Sequence, residues 1–246
     1  MAIAATDLIP QASASRPEDD TATSGGAIDV TDRPSPCTLA ANDTLEMVSS
    51  QAADTTQVVT VTGRGADGAI LTDNQTLNGT TPVPFTGTFE RVLKVTMDVV
   101  ATGIVTIRRA SSGPTVDTIP INDLGFYGMF LKSASESAGT TRYEKIFWKN
   151  NHGTLTLNNA ELELTADPSS KITNGATVAK DDSTSVANRK AAPGGVSFVD
   201  DGVAIVVPTG ILAAGEAIGL WILMTLIADD APLKTSHTTQ LSGTSV

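Results

Sequence analysis

The chain has 246 residues, of which 40% are hydrophobic, and its formal net charge is −11. This length and apolar content suffice for one large or two small folded domains and exclude a chain that is disordered throughout. The acidic balance does not supply the basic face that nucleic-acid binding requires, so we expect no direct nucleic-acid partner.

Negative charge is concentrated in the N-terminal segment. Residues 1–56 contain nine Asp or Glu residues against two Arg residues, and no aromatic residue precedes Phe85. The stretch "ASASRPEDDTATSGG" is rich in residues that bury little apolar surface. We therefore predict an extended acidic arm over residues 1–44, which is either a plain leader or a segment that orders along a neighbouring subunit. The apolar residues that would anchor such an arm are Leu8, Ile9, Ile28 and Val30.

The same segment gives two further expectations. It has no Lys or Arg before Arg16 and no long apolar core, so we do not expect a secretory signal. Cys37 is the one cysteine of the sequence, which excludes an intramolecular disulfide and argues against a cysteine-based metal site. We interpret Cys37 as an incidental thiol in a flexible segment.

Residues 45–120 are predicted to form a first β-sandwich module. "QVVTVTG" and "FERVLKVTM" alternate apolar and polar residues, with Val92 among the exceptions. Asp67-Gly68 and Asn78-Gly79 are dipeptides that tolerate the positive φ angles of tight turns. Short, regularly spaced strands favour antiparallel connections. The predicted strands cover 45–50, 57–63, 69–77, 89–98 and 103–109.

Residues 121–246 are predicted to form a second β-rich module with a long exposed loop at 166–195. In "TLTLNNAELELT", leucines face inward, glutamates face water, and Asn158-Asn159 forms a bulge or kink. The loop assignment rests on the Gly, Pro, Ser and Asp content of 166–195. Taken together, the sequence predicts an all-β fold of antiparallel β-sandwich modules, jelly-roll or Ig-like, with an extended N-terminal arm.

The stretch "GLWILMTLIADDAP", residues 219–232, is the most apolar in the chain. A membrane-spanning reading would extend it back to Gly210 and place Glu216 in its middle, which is costly in a bilayer, so we expect no membrane partner. We predict instead a central strand at 218–227 with two apolar faces. The second face, with Trp221, Leu223 and Ile227, would pack on another layer or another subunit.

Residue types that carry chemistry are sparse. His152 and His237 have no carboxylate or second histidine at ligand spacing, and "TGRGADG" lacks the Lys-Ser/Thr ending of a phosphate loop. We expect no catalytic residue, no metal and no cofactor. Acid pairs such as Asp181-Asp182 leave structural calcium open as an alternative. Arg108-Arg109, with Arg91 and Lys94 in a neighbouring predicted strand, could form a small positive face or merely balance surface charge.

The runs "DTLEMVSS", "QVVTVTGRGADGAIL", "QTLNGTTPV", "FERVLKV" and "GIVTIRRASSGPTVDTIP" together resemble a pattern found in virion structural proteins of tailed bacteriophages. The resemblance covers residues 43–120, and "TLNGTTPV" at 76–83 is its most specific part. The sequence departs from the pattern at "GRGADGA" and in the charged loop 166–195. The resemblance implies a β-sandwich structural protein, often a capsid decoration (cement) protein, and implies no catalytic residues.

The leading functional hypothesis is a non-enzymatic decoration protein that binds the major capsid protein and other copies of itself as a homo-oligomer. It would lie on the capsid surface of the virion and in the host cytoplasm during assembly. A tail, neck or fibre component is the alternative within this class. From other classes, a carbohydrate-binding module would need exposed aromatic residues, and an enzyme such as a glycan hydrolase would need paired carboxylates. The candidate aromatic residues are Phe126, Tyr127, Phe130 and Tyr143.

Overall fold

The structure is a computed structural model that describes residues 2–17, 20–37, 42–130, 139–166, 171–229 and 237–245. Within these residues the chain is nearly all β, which confirms the all-β part of the prediction. Its short helical segments are two 3₁₀ helices, Ala5–Asp7 and Pro208–Gly210. None of the helices in the described ranges is long and apolar enough to cross a membrane.

The strands are β1 Leu8–Ser15, β2 Ser24–Asp29, β3 Asp32–Ser35, β4 Asp43–Ser49, β5 Val58–Arg64, β6 Ile70–Thr76, β7 Val83–Phe89, β8 Arg91–Met97, β9 Val105–Arg109, β10 Thr115–Ile119, β11 Gly125–Gly128, β12 Thr140–Asn150, β13 Leu157–Ala166, β14 Ile172–Lys180, β15 Ser185–Val186, β16 Ile205–Val206, β17 Ile211–Leu212, β18 Ala217–Leu226 and β19 Thr238–Ser245.

Contacts divide the chain into two compact units. Unit 1 combines Met1–Asp29 with Phe130–Val246, and unit 2 is Val30–Met129. These bounds differ from the predicted division at residues 44 and 120. The difference arises because β1 and β2 pair with strands of the C-terminal half, so unit 1 contains both ends of the sequence.

Unit 2 contains two sheets, with strand orders β10-β9-β4-β7 and β3-β11-β8-β5-β6. Their pairs are antiparallel apart from β3 and β11, which run parallel. Asp67-Gly68 joins β5 to β6 as predicted, with a φ of 76° at Gly68. Asn78-Gly79 instead lies between β6 and β7, which belong to different sheets. The carboxylate of Asp73 on β6 accepts hydrogen bonds from the backbone of Thr86 and Gly87 on β7, so a side chain links the two sheets.

Unit 1 contains a six-stranded sheet and a smaller one. The larger has the order β14-β18-β12-β1-β2-β15, and in the smaller β13 pairs with β16, β17 and β19. β18 lies between β12 and β14 and is buried along Ala217–Ile222, which agrees with the prediction of a central strand.

The predicted arm over residues 1–44 is wrong for the described part of that range. β1 is inserted between β12 and β2, and β3 pairs with β11, so these residues belong to the folded sheets. The small residues that suggested an arm fit beneath large side chains from later strands. A Cβ added to Gly25, whose φ is 93°, would lie 2.6 Å from Cη2 of Trp221. Local composition hides this packing because the aromatic ring comes from a residue almost 200 positions away.

The predicted loop 166–195 is also partly wrong. β14 and β15 occupy Ile172–Lys180 and Ser185–Val186, while residues 167–170 lie outside the described residues. The strands form despite their polar composition because β14 pairs with the apolar β18 and β15 pairs with β2. Sheet pairing here overrides the weak strand preference of Gly, Asn and Lys.

Two irregularities in the predicted strands are true β-bulges. The register of β13 against β19 shifts between Asn158 and Glu161, and Asn159 has a φ of 48°. On β8 the register against β5 skips Leu93, which explains why Val92 and Leu93 are both buried. An extra residue in one strand rotates the next side chain to the same face, so strict alternation fails at that point.

Candidate interaction surface

Three loops of unit 2 meet at one end of its sheets. We define the tip as residues 50–57, 77–83 and 98–104. The backbone connects these loops directly: the Gly79 N–H donates to the Asp54 carbonyl at 2.7 Å, and the Ser50 N–H donates to the Ile104 carbonyl at 2.9 Å. The segment 50–57 thus lies between the other two and contacts both.

Asp54 is fully buried at the centre of the tip. Its Oδ1 accepts hydrogen bonds from the backbone N–H and the hydroxyl of Thr102, at 2.8 and 2.7 Å. Its Oδ2 accepts from the Ser49 hydroxyl and from the Gly103 N–H. Burial alone would raise the pKa of Asp54, but these donors outweigh it and lower the pKa to about 2. A carboxylate that is charged at neutral pH therefore holds the loop 98–104 against 49–54.

Two glycines allow the loops of the tip to approach this closely. A Cβ on Gly79 would lie 2.6 Å from the Ala52 carbonyl oxygen, and one on Gly103 would lie 2.6 Å from Oγ of Ser50. Gly79 also has a φ of 56°. Within these loops, the side chains of Ala101 and Leu77 are buried. The tip is consequently a packed structure whose backbone conformation is fixed before any partner binds.

The outer surface of the tip is poor in charge and combines three large exposed apolar side chains with small or uncharged ones. Val99, Val100 and Ile104 are 57%, 43% and 44% exposed. Asp54 and Asp98 are the charged residues within the tip, and Asp54 is buried. The remaining exposed side chains are small or uncharged: Gln51, Ala52, Ala53, Thr55, Thr56, Asn78, Thr80, Thr81, Pro82 and Thr102. Depletion of charge around apolar side chains is typical of the core of a protein–protein interface.

Sequence reasoning did not identify this surface. In the sequence, Asp54 is one of nine acids in residues 1–56, and no local feature distinguishes it from the others. Its partners, Thr102 and Gly103, are almost 50 residues further along the chain. The signal in the sequence is the run of apolar residues "VVATGIV" in a loop directly after a strand, where solvated residues are expected.

A second buried charge lies in unit 1. The side chain of Lys145 on β12 has no exposed surface, and its Nζ lies 2.6 Å from Oδ2 of Asp182. Nζ also donates to the carbonyls of Gly26, Asp182 and Thr184, and it lies 4.7 Å from the ring centroid of Phe147. Burial raises the pKa of Asp182, but the hydrogen bonds from Lys145 and Thr184 and the charge of Lys145 together outweigh this effect and lower it. All of these contacts lie within the chain, which assigns Lys145 to the scaffold.

A cluster of buried ion pairs lies at the start of β12. Arg189 donates to Glu144, and the Phe130 N–H donates to both carboxylate oxygens of Glu144 at 3.1 Å. Arg142 pairs with Asp20 at 2.7 Å. Burial raises the pKa of Glu144 to about 7, although Arg189 acts against the shift. The Tyr143 N–H donates to the Arg189 carbonyl, so the cluster fixes the segment 188–190 beside β12.

The structure separates the sequence-predicted interaction residues. Leu8, Ile9 and Ile28 are half-buried within β1 and β2. Val30 and Ile227 are 51% and 56% exposed. They therefore do not form one continuous anchor set on an arm.

The assignment of Trp221 to a subunit interface is wrong. Trp221 is 1% exposed and packs with Tyr143 and Val186, and Leu223 packs against this cluster. The layer that covers this second apolar face comes from residues 186–198 of the same unit, of which 186–195 belong to the predicted exposed loop 166–195.

Of the two alternatives for Arg108-Arg109, the structure favours charge balance over a basic face. Arg108 and Arg109 lie on β9 and pair with Glu46 and Asp43 of the neighbouring strand β4. Arg91 and Lys94 lie on β8, in the other sheet of unit 2. Charge on β9 is therefore used within its own sheet.

The remaining candidates from the sequence are the aromatic residues, His152 and the acid pairs. Phe126, Tyr127 and Tyr143 are buried, which argues against an aromatic platform for sugars. His152 accepts hydrogen bonds at Nδ1 from the backbone of the turn that follows it. Within the described ranges, no group of three His, Cys, Asp or Glu residues could hold a metal ion. Among the acid pairs considered for calcium, Asp181 accepts a hydrogen bond from the Ala217 N–H, and Asp230 of the pair Asp229-Asp230 lies outside the described ranges.

Comparison with known proteins returns no match to a family model, to a curated protein or to a solved structure.

Proposed function

We propose that this chain is a non-enzymatic structural virion protein of a tailed bacteriophage, and specifically a capsid decoration protein. In this role it binds the major capsid lattice and stabilises the head. We further propose that the two sheets of each unit face each other as a β-sandwich of jelly-roll or Ig-like type. The link from Asp73 on β6 to the backbone of β7 in the other sheet of unit 2 supports this arrangement.

The tip is the observation that carries this proposal. It presents apolar side chains on a backbone that Asp54 already holds in place, so binding requires little further ordering of the loops. The buried charges described above are held by the chain's own groups, which suits a protein that acts by contact. The sequence resemblance over residues 43–120, which includes all of the tip, supports a phage virion as the setting.

The experiment compares purified virions that contain or lack this chain. We expect the chain to be present in many copies on the head surface by cryo-electron microscopy. We also expect particles without it to release DNA at a lower temperature, while shells still assemble. If heads are equally stable without the chain but tail attachment or adsorption is lost, the decoration role is wrong and a tail, neck or fibre role replaces it.

A further inference from the structure

We infer that the tip is a contact between copies of this chain related by a symmetry axis. This inference rests on the proposed contact role of the tip but not on the virion assignment. It names the partner as a second copy that presents the same residues.

The scarcity of exposed charge on the tip favours contact with a second copy. In a symmetric contact the same surface of each copy meets near the axis, so every exposed charge there approaches its own equivalent. The chain carries a net charge of −11, and like charges across an interface oppose association. The tip reduces this repulsion because Asp98 is its one exposed charged residue. A basic partner would gain little from such a surface.

The second argument concerns what a self-contact would bury. Val99, Val100 and Ile104 project from one seven-residue loop and are each more than 40% exposed. All three are β-branched, so they lose little side-chain freedom when they become buried. Burial of these side chains against their symmetry equivalents removes apolar surface from water on both copies at once.

The loop 98–104 is held in one conformation by Asp54. The four hydrogen bonds to the Asp54 carboxylate fix the loop that carries the three apolar side chains. A symmetric contact requires the same loop conformation in every copy, and a buried ionised group satisfied by two backbone and two hydroxyl donors enforces one conformation. Asp54 is thus a positioning residue for the contact.

The test measures the mass of the purified full chain by sedimentation over about a hundredfold range of concentration, since mass action shifts a self-association equilibrium. We expect the mass of the natural chain to rise above that of the 25.3 kDa monomer. Val100→Asp places like charges at the axis and should weaken association by about tenfold or more. The matched control is Val178→Asp, because Val178 lies in unit 1 and is 68% exposed. The control should associate like the natural chain.

A second measurement does not depend on whether Val100→Asp folds. Cys37 is 1% exposed, so a cysteine introduced at the exposed Thr80 supplies the one accessible thiol. We expect mild oxidation to link Thr80→Cys chains into covalent dimers much faster than chains with Ser242→Cys, which is exposed in unit 1. A chain that remains monomeric at all concentrations, equal weakening by Val178→Asp, or equal cross-linking at both cysteines would overturn the inference. Because these measurements use no virions, they fail or succeed separately from the decoration role.

Discussion

Lys145 and Asp182 form a buried ion pair, with Nζ and Oδ2 2.6 Å apart. Lys145 lies on β12, whereas Asp182 lies in a connection between β14 and β15. The ammonium group also donates to the Gly26 carbonyl at the end of β2 that pairs with β15. One side chain therefore holds together three parts of the six-stranded sheet of unit 1.

We predict that Lys145→Met destabilises unit 1 by about 3–5 kcal/mol, because it removes the buried ammonium group that pairs with Asp182 and donates to three carbonyl groups. Denaturant unfolding followed by the fluorescence of Trp148 and Trp221, which both lie in unit 1, measures this loss. Lys180→Met is the matched control, since Lys180 pairs with Glu216 but the two side chains are 23% and 30% exposed. The control should cost at most about 1 kcal/mol. Equal costs would show that the burial of Lys145 is energetically unimportant.

The strands that could be predicted from sequence share one property: their signal, either alternation or a continuous apolar run, arises from residues within the strand. β5, β8, β13 and β18 are of this kind, and even the bulge at Asn158-Asn159 has a local signal. β1, β2 and β14 have no such pattern, because their stability comes from neighbours distant in sequence. Examples are the packing of Trp221 against Gly25 and the hydrogen bonds from Thr102 to Asp54, which join residues far apart in the sequence. The tip was missed for the same reason.

We predict that Trp221→Ala destabilises unit 1 by about 3–5 kcal/mol, since it opens a cavity among Tyr143, Val186 and Leu223. Ile227→Ala should change stability by no more than about 0.5 kcal/mol, because Ile227 is 56% exposed. Thermal unfolding of both variants makes the comparison. If Trp221→Ala lost self-association while its stability stayed unchanged, the burial of Trp221 within its own unit would be contradicted.

Cys37 is predicted to be unreactive in the folded chain. It is 1% exposed, and burial raises the pKa of its thiol to about 12, although the Ser35 hydroxyl acts in the opposite direction. The thiolate is the reactive form, so a thiol reagent at pH 8 should modify Cys37 only after unfolding. The measurement is the rate of modification with and without denaturant. Rapid modification of the folded chain would restore the interpretation of Cys37 as a thiol in a flexible segment.

Protection of the loop 98–104 is predicted to depend on pH through Asp54. The pKa of this carboxyl is about 2 in the folded chain, below its ordinary value of 3.8. A lowered pKa means that the ionised form contributes stability that is fully present above about pH 4 and is lost as the pH falls toward 2. Hydrogen exchange at the amides of Thr102 and Gly103, which donate to Asp54, reports this loss directly.

The variant Asp54→Asn separates the contribution of Asp54 to this pH dependence from the contributions of Glu46 and Asp73. These two groups lie in the same unit and also have lowered pKa values. An amide cannot accept all four hydrogen bonds as a carboxylate does, so we expect a loss of about 2–3 kcal/mol near neutral pH. The difference between the natural chain and Asp54→Asn should then shrink as the pH falls from about 4 toward 2, since the natural chain loses there the charged acceptor that the variant already lacks. A difference that stays constant over this range would mean that the charge of Asp54 does not hold the tip. In that case the loop that bears Val99, Val100 and Ile104 would owe its conformation to packing at Gly79 and Gly103 alone.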